Sequence, residues 1–143
     1  MKESLLEFKW TVSRGRDTYG YNICSLYVNG QKVSSCNGGG YDMEGTALGN
    51  WIARAFKNEL LKLKIPMHRR NGQDVQEYYG LSFHDPNYGA SSKVPTERHT
   101  VPLIDGACGK SSVENILNAI GLELVYLKGT RNLSLYRMIE KQS

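Results

Sequence analysis

The sequence predicts an α+β domain in which two amphipathic helices pack on a mostly antiparallel sheet. Three observations predict it: a hairpin signal near the N-terminus, two helical stripes of apolar residues, and a second pair of strands near the C-terminus. A length of 143 residues fits one domain over residues 1–143, because a chain of this size can bury its own core. Its apolar content of 40% and charged content of 22% are those of a globular protein.

The first 36 residues predict a three-stranded antiparallel meander. Phe8, Trp10 and Val12 alternate with polar residues, as in a half-buried strand. Residues 19–28 are rich in aromatic and β-branched side chains. The Asn29-Gly30 pair that follows is the strongest two-residue hairpin signal, and the chain then returns through Cys36.

Residues 46–64 predict the longer helix. Asp42 or Thr46 is its candidate N-cap, and Pro66 ends it. The apolar residues follow the i, i+3, i+4, i+7 spacing of one helix face: Leu48, Trp51, Ile52, Ala55, Phe56, Leu60 and Leu63.

The C-terminal third predicts a second helix and a strand pair. Ser111 and Glu114 have the spacing of a capping box, and Gly121 stands where a C-terminal glycine belongs. Residues 122–128 and 133–139 then predict a hairpin. Residues 85–101, which precede the helix, predict a long loop, and a loop of that length is often functional or mobile.

The three cysteines predict neither a disulfide framework nor a structural zinc site, since their number is odd and no C-x-x-C spacing occurs. A two-residue turn at Asn29-Gly30 would pair Ile23 with Cys36, so Cys24 and Cys36 would point to opposite faces. No apolar run of about 18 residues or secretory leader is present, so we expect no membrane span. A reducing bacterial cytoplasm is the expected compartment.

The net charge of +4 is concentrated in residues 54–70, which carry six cations and one glutamate. Such a basic patch indicates an anionic partner, either nucleic acid or an acidic protein face. The alternative is a lysine-rich helix face that only keeps the protein soluble. The candidate binding residues here are Arg54, Lys57, Lys62, Lys64, Arg69 and Arg70.

A glycine-rich turn precedes the longer helix. Three consecutive glycines allow a backbone to approach a ligand closely, and the start of a helix offers free N–H groups to an anion. Arg14 and Arg16 stand beside Tyr19 and Tyr21, a combination that suits both stacking on bases and protein contact. The candidate residues of the turn are Gly38, Gly39, Gly40 and Tyr41.

The Gly109-Lys110-Ser111 run is similar to the end of a phosphate-binding loop. That loop has a glycine five positions before Gly109, where this chain has Ile104. Amides beside Lys110 could still hold one phosphate or carboxylate. The alternative is an ordinary turn from strand to helix.

Cys108 offers an enzymatic alternative, because a helix N-terminus and Lys110 would both lower the pKa of its thiol. His99 would then be the base, with Asp85 or Asp105 to orient it. The other alternative is a hydrolytic metal site built from His and Asp side chains, although the histidines lack a short ligand spacing. A buried, inert cysteine is the simpler interpretation.

Residues 16–22, Arg-Asp-Thr-Tyr-Gly-Tyr-Asn, and residues 36–43, Cys-Asn-Gly-Gly-Gly-Tyr-Asp-Met, together resemble small bacteriophage accessory proteins of uncharacterised function. The resemblance covers about the first third of the chain. It implies a protein made in a bacterial cytoplasm that binds nucleic acid or inhibits a host defence factor. It implies no catalytic residue.

The leading hypothesis is a non-enzymatic binding protein whose partner is anionic, most simply nucleic acid, with no cofactor and no metal. The contacts would come from the exposed face of helix 46–64, Arg69-Arg70 and the glycine-rich turn. The alternatives are a protein-binding inhibitor of a host defence factor and a small hydrolase or transferase that uses Cys108 or a metal site.

Overall fold

The computed structural model describes residues 3–11, 23–37, 42–87, 89–105 and 108–141. It is an α+β arrangement of helices and mostly antiparallel strands, as the sequence predicts, but the described strands form three sheets and not one. Two longer helices form most of the helical layer. The described strands lie in sheets of five, two and three strands. The elements are β1 (Ser4–Thr11), β2 (Ile23–Val28), β3 (Gln31–Asn37), α1 (Met43–Ala55), α2 (Lys57–Leu61), β4 (Met67–Arg70), β5 (Gln73–Gln76), β6 (Leu81–His84), β7 (Ser91–Ser92), β8 (Val101–Ile104), α3 (Gly109–Ala119), β9 (Leu122–Thr130) and β10 (Leu133–Glu140).

The five-stranded sheet joins the N-terminal meander to the C-terminal hairpin. Its order is β3-β2-β1-β10-β9, so the two predicted units meet where β1 pairs with β10. One face of this sheet packs on α1 and α3, and the three-stranded sheet β7-β6-β8 lies against α1 through β8. The fully buried core includes Phe8 and Leu26 from the sheet, Ile52 from α1, Ile116 from α3 and Phe83 from β6.

The predicted register of the N-terminal hairpin is wrong. Asn29 and Gly30 do form the turn, both with positive φ, but the pairing shifts between Leu26 and Tyr27. One extra residue in β3 moves each later side chain of that strand to the other face of the sheet, because side chains alternate along a strand. Cys24 therefore lies directly opposite Cys36, and both are buried on the core face as free thiols.

The longer predicted helix is interrupted. α1 ends at Ala55 and α2 begins at Lys57, with Phe56 between them at φ −118° and ψ 33°. The ring of Phe56 packs edge-on against Trp51, with 5.5 Å between ring centroids. Leu60 remains fully buried after the break, so the apolar stripe continues and conceals the interruption in the sequence. Asp42 is the N-cap, and its Oδ1 accepts a hydrogen bond from the Gly45 N–H at 2.9 Å.

The predicted start of the second helix is also wrong. α3 begins at Gly109, so Ser111 lies inside its first turn and cannot be its N-cap. Cys108 is the N-cap residue and makes no side-chain capping bond. The capping carboxylate comes from elsewhere in the fold, because Asp42 Oδ2 accepts a hydrogen bond from the Lys110 N–H at 2.8 Å.

The segment 85–101 contains β7, a two-residue strand that pairs with Phe83 and His84, and Val101 begins β8. Among the described residues, no helix is both long enough and apolar enough to cross a membrane.

Candidate functional site

A tight turn at residues 78–81 places Tyr79 on the surface. The Leu81 N–H donates to the Tyr78 carbonyl at 3.0 Å, and Gly80 has a φ of +87°, as the third position of a type II turn requires. A Cβ at Gly80 would also lie 2.6 Å from Cβ of Cys108, so no larger residue fits there. Tyr79 at the second position of the turn is 58% exposed.

The two adjacent tyrosines line a cleft of about 500 Å³, which we call the tyrosine cleft. Its lining includes Tyr78, Tyr79 and His68, the last from β4. A polar face of α3 contributes Asn115 and Asn118, and Lys141 also lines the cleft. The tyrosine cleft thus joins aromatic rings to amide groups and a cation.

Two further clefts adjoin the tyrosine cleft. The lysine cleft, about 540 Å³, is lined by Lys62 and Lys64 and shares Tyr78 with the tyrosine cleft. The arginine cleft, about 210 Å³, is lined by Arg70 and Lys93 and shares Tyr79 with it. The three clefts therefore follow one another through shared tyrosines, a series that we call the path, and each of the two outer clefts is lined by two cations.

The acidic groups along this path do not cancel its positive charge. Glu77 is buried and accepts from Arg70 Nη1 at 2.8 Å and 3.0 Å, while Lys93 Nζ lies 3.8 Å away. One carboxylate thus holds two cations whose side chains remain about half exposed. The described lining of the three clefts includes two carboxylates, Glu59 in the lysine cleft and Asp105 in the arginine cleft. It includes more cations than carboxylates: Lys62, Lys64, Lys141, Arg70 and Lys93.

The basic residues predicted from the sequence do not form one patch. Lys62, Lys64 and Arg70 line the path described above, whereas Arg69 points away into an exposed ion pair with Asp74 at 3.2 Å. Arg54 and Lys57 line a different cavity of about 630 Å³, which we call the β-edge groove.

The β-edge groove lies between β3 and β8, each the outermost strand of its sheet. α1 contacts both strands and contributes Asn50 and Ala53 to the lining. The Arg54 guanidinium donates to the carbonyl of Val33 on the β3 edge. None of the described residues that line the groove carries a carboxylate.

Lys110 is bound to groups of the protein itself. Its Nζ donates to Glu44 Oε1 at 2.9 Å and to the hydroxyl of Tyr136, and it lies over the ring of Tyr136. Burial lowers the pKa of Lys110, but the hydrogen bonds to Tyr136 and Glu44 outweigh it and hold that pKa above its ordinary value. Ser134 Oγ donates to Glu44 Oε2 at 2.9 Å. The carboxylate that the Lys110 amide holds is that of Asp42.

The predicted lowering of the Cys108 pKa is wrong. Burial and then the charge of Asp105 raise the pKa of this thiol, since both disfavour the thiolate. Cys108 packs against Gly80, and its Sγ–H donates to the Gly109 carbonyl at 3.7 Å. His99 Nδ1 forms a hydrogen bond with Thr96 Oγ1 at 2.8 Å. No hydrogen bond in the described ranges joins Cys108 to His99.

Asp85 is committed to its own loop, since its carboxylate accepts from the Asn87 N–H and from Arg98 Nε. Within the described part of the chain, no three His, Cys, Asp or Glu side chains are placed to hold a metal ion. The predicted contacts at Arg14, Arg16, Gly38, Gly39, Gly40 and Tyr41 lie outside the described residues.

The site residues predicted from the sequence do not include Tyr78, Tyr79, Asn115 or Asn118. One signal was present: Asn71-Gly72 forms the turn of the β4–β5 hairpin, the same type of pair as Asn29-Gly30. This hairpin contributes His68 to the same cleft as the two tyrosines. Comparison with protein-family models, curated proteins and solved structures finds no match for this chain.

Proposed function

We propose that this protein binds single-stranded nucleic acid, without catalysis, along the lysine, tyrosine and arginine clefts. The observation that carries the proposal is the placement of Tyr78 and Tyr79 at the junctions of three clefts with cations at both ends. Proteins that bind single strands combine a basic groove for the backbone with aromatic side chains on which bases stack. The path has both features, because cations line its outer clefts and tyrosines line the cleft between them.

The stacking role falls on Tyr79. Tyr79 is 58% exposed, and the Gly80 turn fixes the backbone that carries it, so a base can stack on its ring with little ordering of the backbone. Lys62, Lys64, Lys93 and Arg70 lie on either side and would neutralise phosphates. Because the resemblance to phage accessory proteins implies a bacterial cytoplasm, both single-stranded DNA and RNA would be within reach.

Fluorescence anisotropy with a labelled 12-residue oligothymidine tests the proposal. Tyr79→Ala should weaken binding by about fivefold to 150-fold, since stacking on one base contributes about 1–3 kcal/mol. The logarithm of the association constant should fall linearly with the logarithm of the salt concentration, with a slope of about −0.7 per neutralised phosphate. Lys62→Gln with Lys64→Gln should therefore make the slope shallower by about 1.4.

The matched control is Lys32→Gln with Lys57→Gln, which removes the same charge from two exposed lysines outside the three clefts. It should lower the affinity less than the Lys62 and Lys64 pair and leave the response to Tyr79→Ala unchanged. The proposal fails if no single strand binds at low salt. It also fails if the Lys32 and Lys57 substitutions lower the affinity while Tyr79→Ala leaves it unchanged.

A second candidate function is the binding of an acidic protein segment in the β-edge groove. It is favoured by two strand edges that face one groove with Arg54 and Lys57, because an extended segment can pair with a free edge and place carboxylates near cations. A host defence factor would be such a partner. Arg54→Glu with Lys57→Glu should abolish capture of an acidic peptide and leave oligonucleotide binding intact. Capture of the peptide at full strength by this double variant would sink the candidate.

A further inference from the structure

One face of α3 is polar from end to end. Ser112, Asn115 and Asn118 follow each other at intervals of three residues, so they lie along one side of the helix. The opposite side buries Val113 and Ile116 in the core. The polar side therefore faces the tyrosine cleft, where all three polar residues are part of the lining.

The amides of this face are free to bind a ligand. Within the described part of the chain, neither the Asn115 nor the Asn118 side chain forms a hydrogen bond. Asn115 is exposed and Asn118 is half-buried. Each amide carries a donor and an acceptor side by side, which is the pattern needed to bind two adjacent atoms on the edge of a base.

The types of side chain in the cleft favour one base. Guanine is typically read by Arg or Lys, cytosine by a carboxylate, and adenine by the amide of Asn or Gln through N6 and N7. The described residues that line the tyrosine cleft include two asparagines but no arginine and no carboxylate. Two basic side chains, His68 and Lys141, also line the cleft, and we assign Lys141 to a phosphate.

We propose that the tyrosine cleft binds one unpaired adenine, stacked on Tyr79 and read at its edge by the amides of Asn115 and Asn118. This inference rests on the proposed function, since it names the base that the nucleic-acid site prefers. The stacked ring supplies affinity for any base, and the amides supply the discrimination.

Four labelled 12-residue oligothymidines test it, one unmodified and three with a single central thymidine replaced by adenosine, cytidine or guanosine. The oligonucleotide with adenosine should bind at least about fivefold more tightly than the other three, the lower limit for one good bidentate contact. In Asn115→Ala with Asn118→Ala the four affinities should converge. Alanine favours the helix, so the double variant should keep the fold of α3.

Asn58→Ala is the matched control, since Asn58 is an exposed amide of α2 outside the clefts. It should keep the preference for adenosine in full. Equal binding of all four oligonucleotides to the wild-type protein would overturn the inference and leave the proposed function standing. A preference that survives in the double variant would overturn it in the same way. If none of the four binds, the proposed function fails and the inference fails with it.

Discussion

Asp42 joins the first turns of two helices that are far apart in the sequence. Its Oδ1 accepts from the Gly45 N–H of α1, and its Oδ2 accepts from the Lys110 N–H of α3, 68 positions later. A single carboxylate therefore caps two positive helix ends. Glu44 and Lys110 form an ion pair directly beside this contact.

Asp42→Ala should destabilise the fold by about 1–3 kcal/mol, more than the loss of one ordinary cap, because two N–H groups lose their acceptor. Asp42→Asn should cost less, since an amide oxygen can still accept. Urea unfolding followed by circular dichroism measures both. The exposed Glu97→Ala is the control and should have little effect. An Asp42→Ala variant as stable as wild type would show that the double cap contributes nothing.

Gly45 permits the close approach of these helices. A Cβ there would lie 2.5 Å from the Lys110 backbone N and 2.6 Å from the Gly109 carbonyl carbon, and backbone atoms cannot rotate away. Gly45→Ala should therefore destabilise the protein by about 1–3 kcal/mol, as overpacking does. Helix propensity alone predicts the opposite sign, a gain of about 1 kcal/mol.

The control for Gly45 is Asn50→Ala, on the exposed face of the same helix. At this exposed position only the helix propensity should change, so Asn50→Ala should be as stable as wild type or slightly more stable. Chemical denaturation of the two variants side by side decides between clash and propensity. A stabilised Gly45→Ala protein would mean that α1 and α3 can separate at little cost.

The sequence predicted the sheet and helices well because periodicity and turn residues are local signals. It failed at Val33, where one inserted residue reverses the facing of Cys36, since nothing in the composition marks a bulge. It failed at Ser111 because the true capping group, Asp42, arrives through tertiary packing. Contacts between distant segments lie beyond any local pattern.

The candidate site divides in the same way. The spacing of Asn115 and Asn118 on one helix side, and the Asn71-Gly72 turn, can both be read from the sequence. Tertiary packing, which the sequence does not show, brings α3, the turn at residues 78–81 and His68 to one cleft. The sequence predicts one basic patch at residues 54–70, but the fold places Arg54 and Lys57 in the β-edge groove, Lys62 and Lys64 in the lysine cleft and Arg70 in the arginine cleft.

The three thiols should be unreactive in the folded protein. Burial, and then the charge of Glu44, raise the pKa of Cys24 to about 12. Burial also raises the pKa of Cys36 and of Cys108. Since the thiolate is the reactive form, a disulfide reagent at pH 8 should label almost nothing until guanidinium unfolds the chain.

Rapid labelling of one native thiol would contradict this prediction. Cys108, at 9% exposure, is the first one to examine, by comparison with Cys108→Ala. A reactive Cys108 would revive the cysteine-nucleophile hypothesis. A native protein that labels only on unfolding would favour a structural role for Cys108 against Gly80.

Asp85 should make the loop at residues 85–100 sensitive to acid. The Asn87 N–H donates to Oδ1 at 2.8 Å and Arg98 Nε to Oδ2 at 3.2 Å. The Asn87 hydrogen bond first, and then Arg98, outweigh burial and hold the pKa of Asp85 below its ordinary value. The unfolded chain therefore takes up this proton at a higher pH than the folded protein.

The stabilisation from Asp85 is complete above its ordinary pKa of about 4 and is lost as the pH falls through the lower folded pKa. Asp85→Asn should be less stable than wild type at pH 7, and its urea midpoint should fall less between pH 5 and pH 3. Asp74→Asn, which removes only an exposed ion pair with Arg69, should follow the wild-type curve closely. If the Asp85→Asn curve instead runs parallel to wild type through this range, the carboxylate of Asp85 is not the group whose protonation loosens the loop.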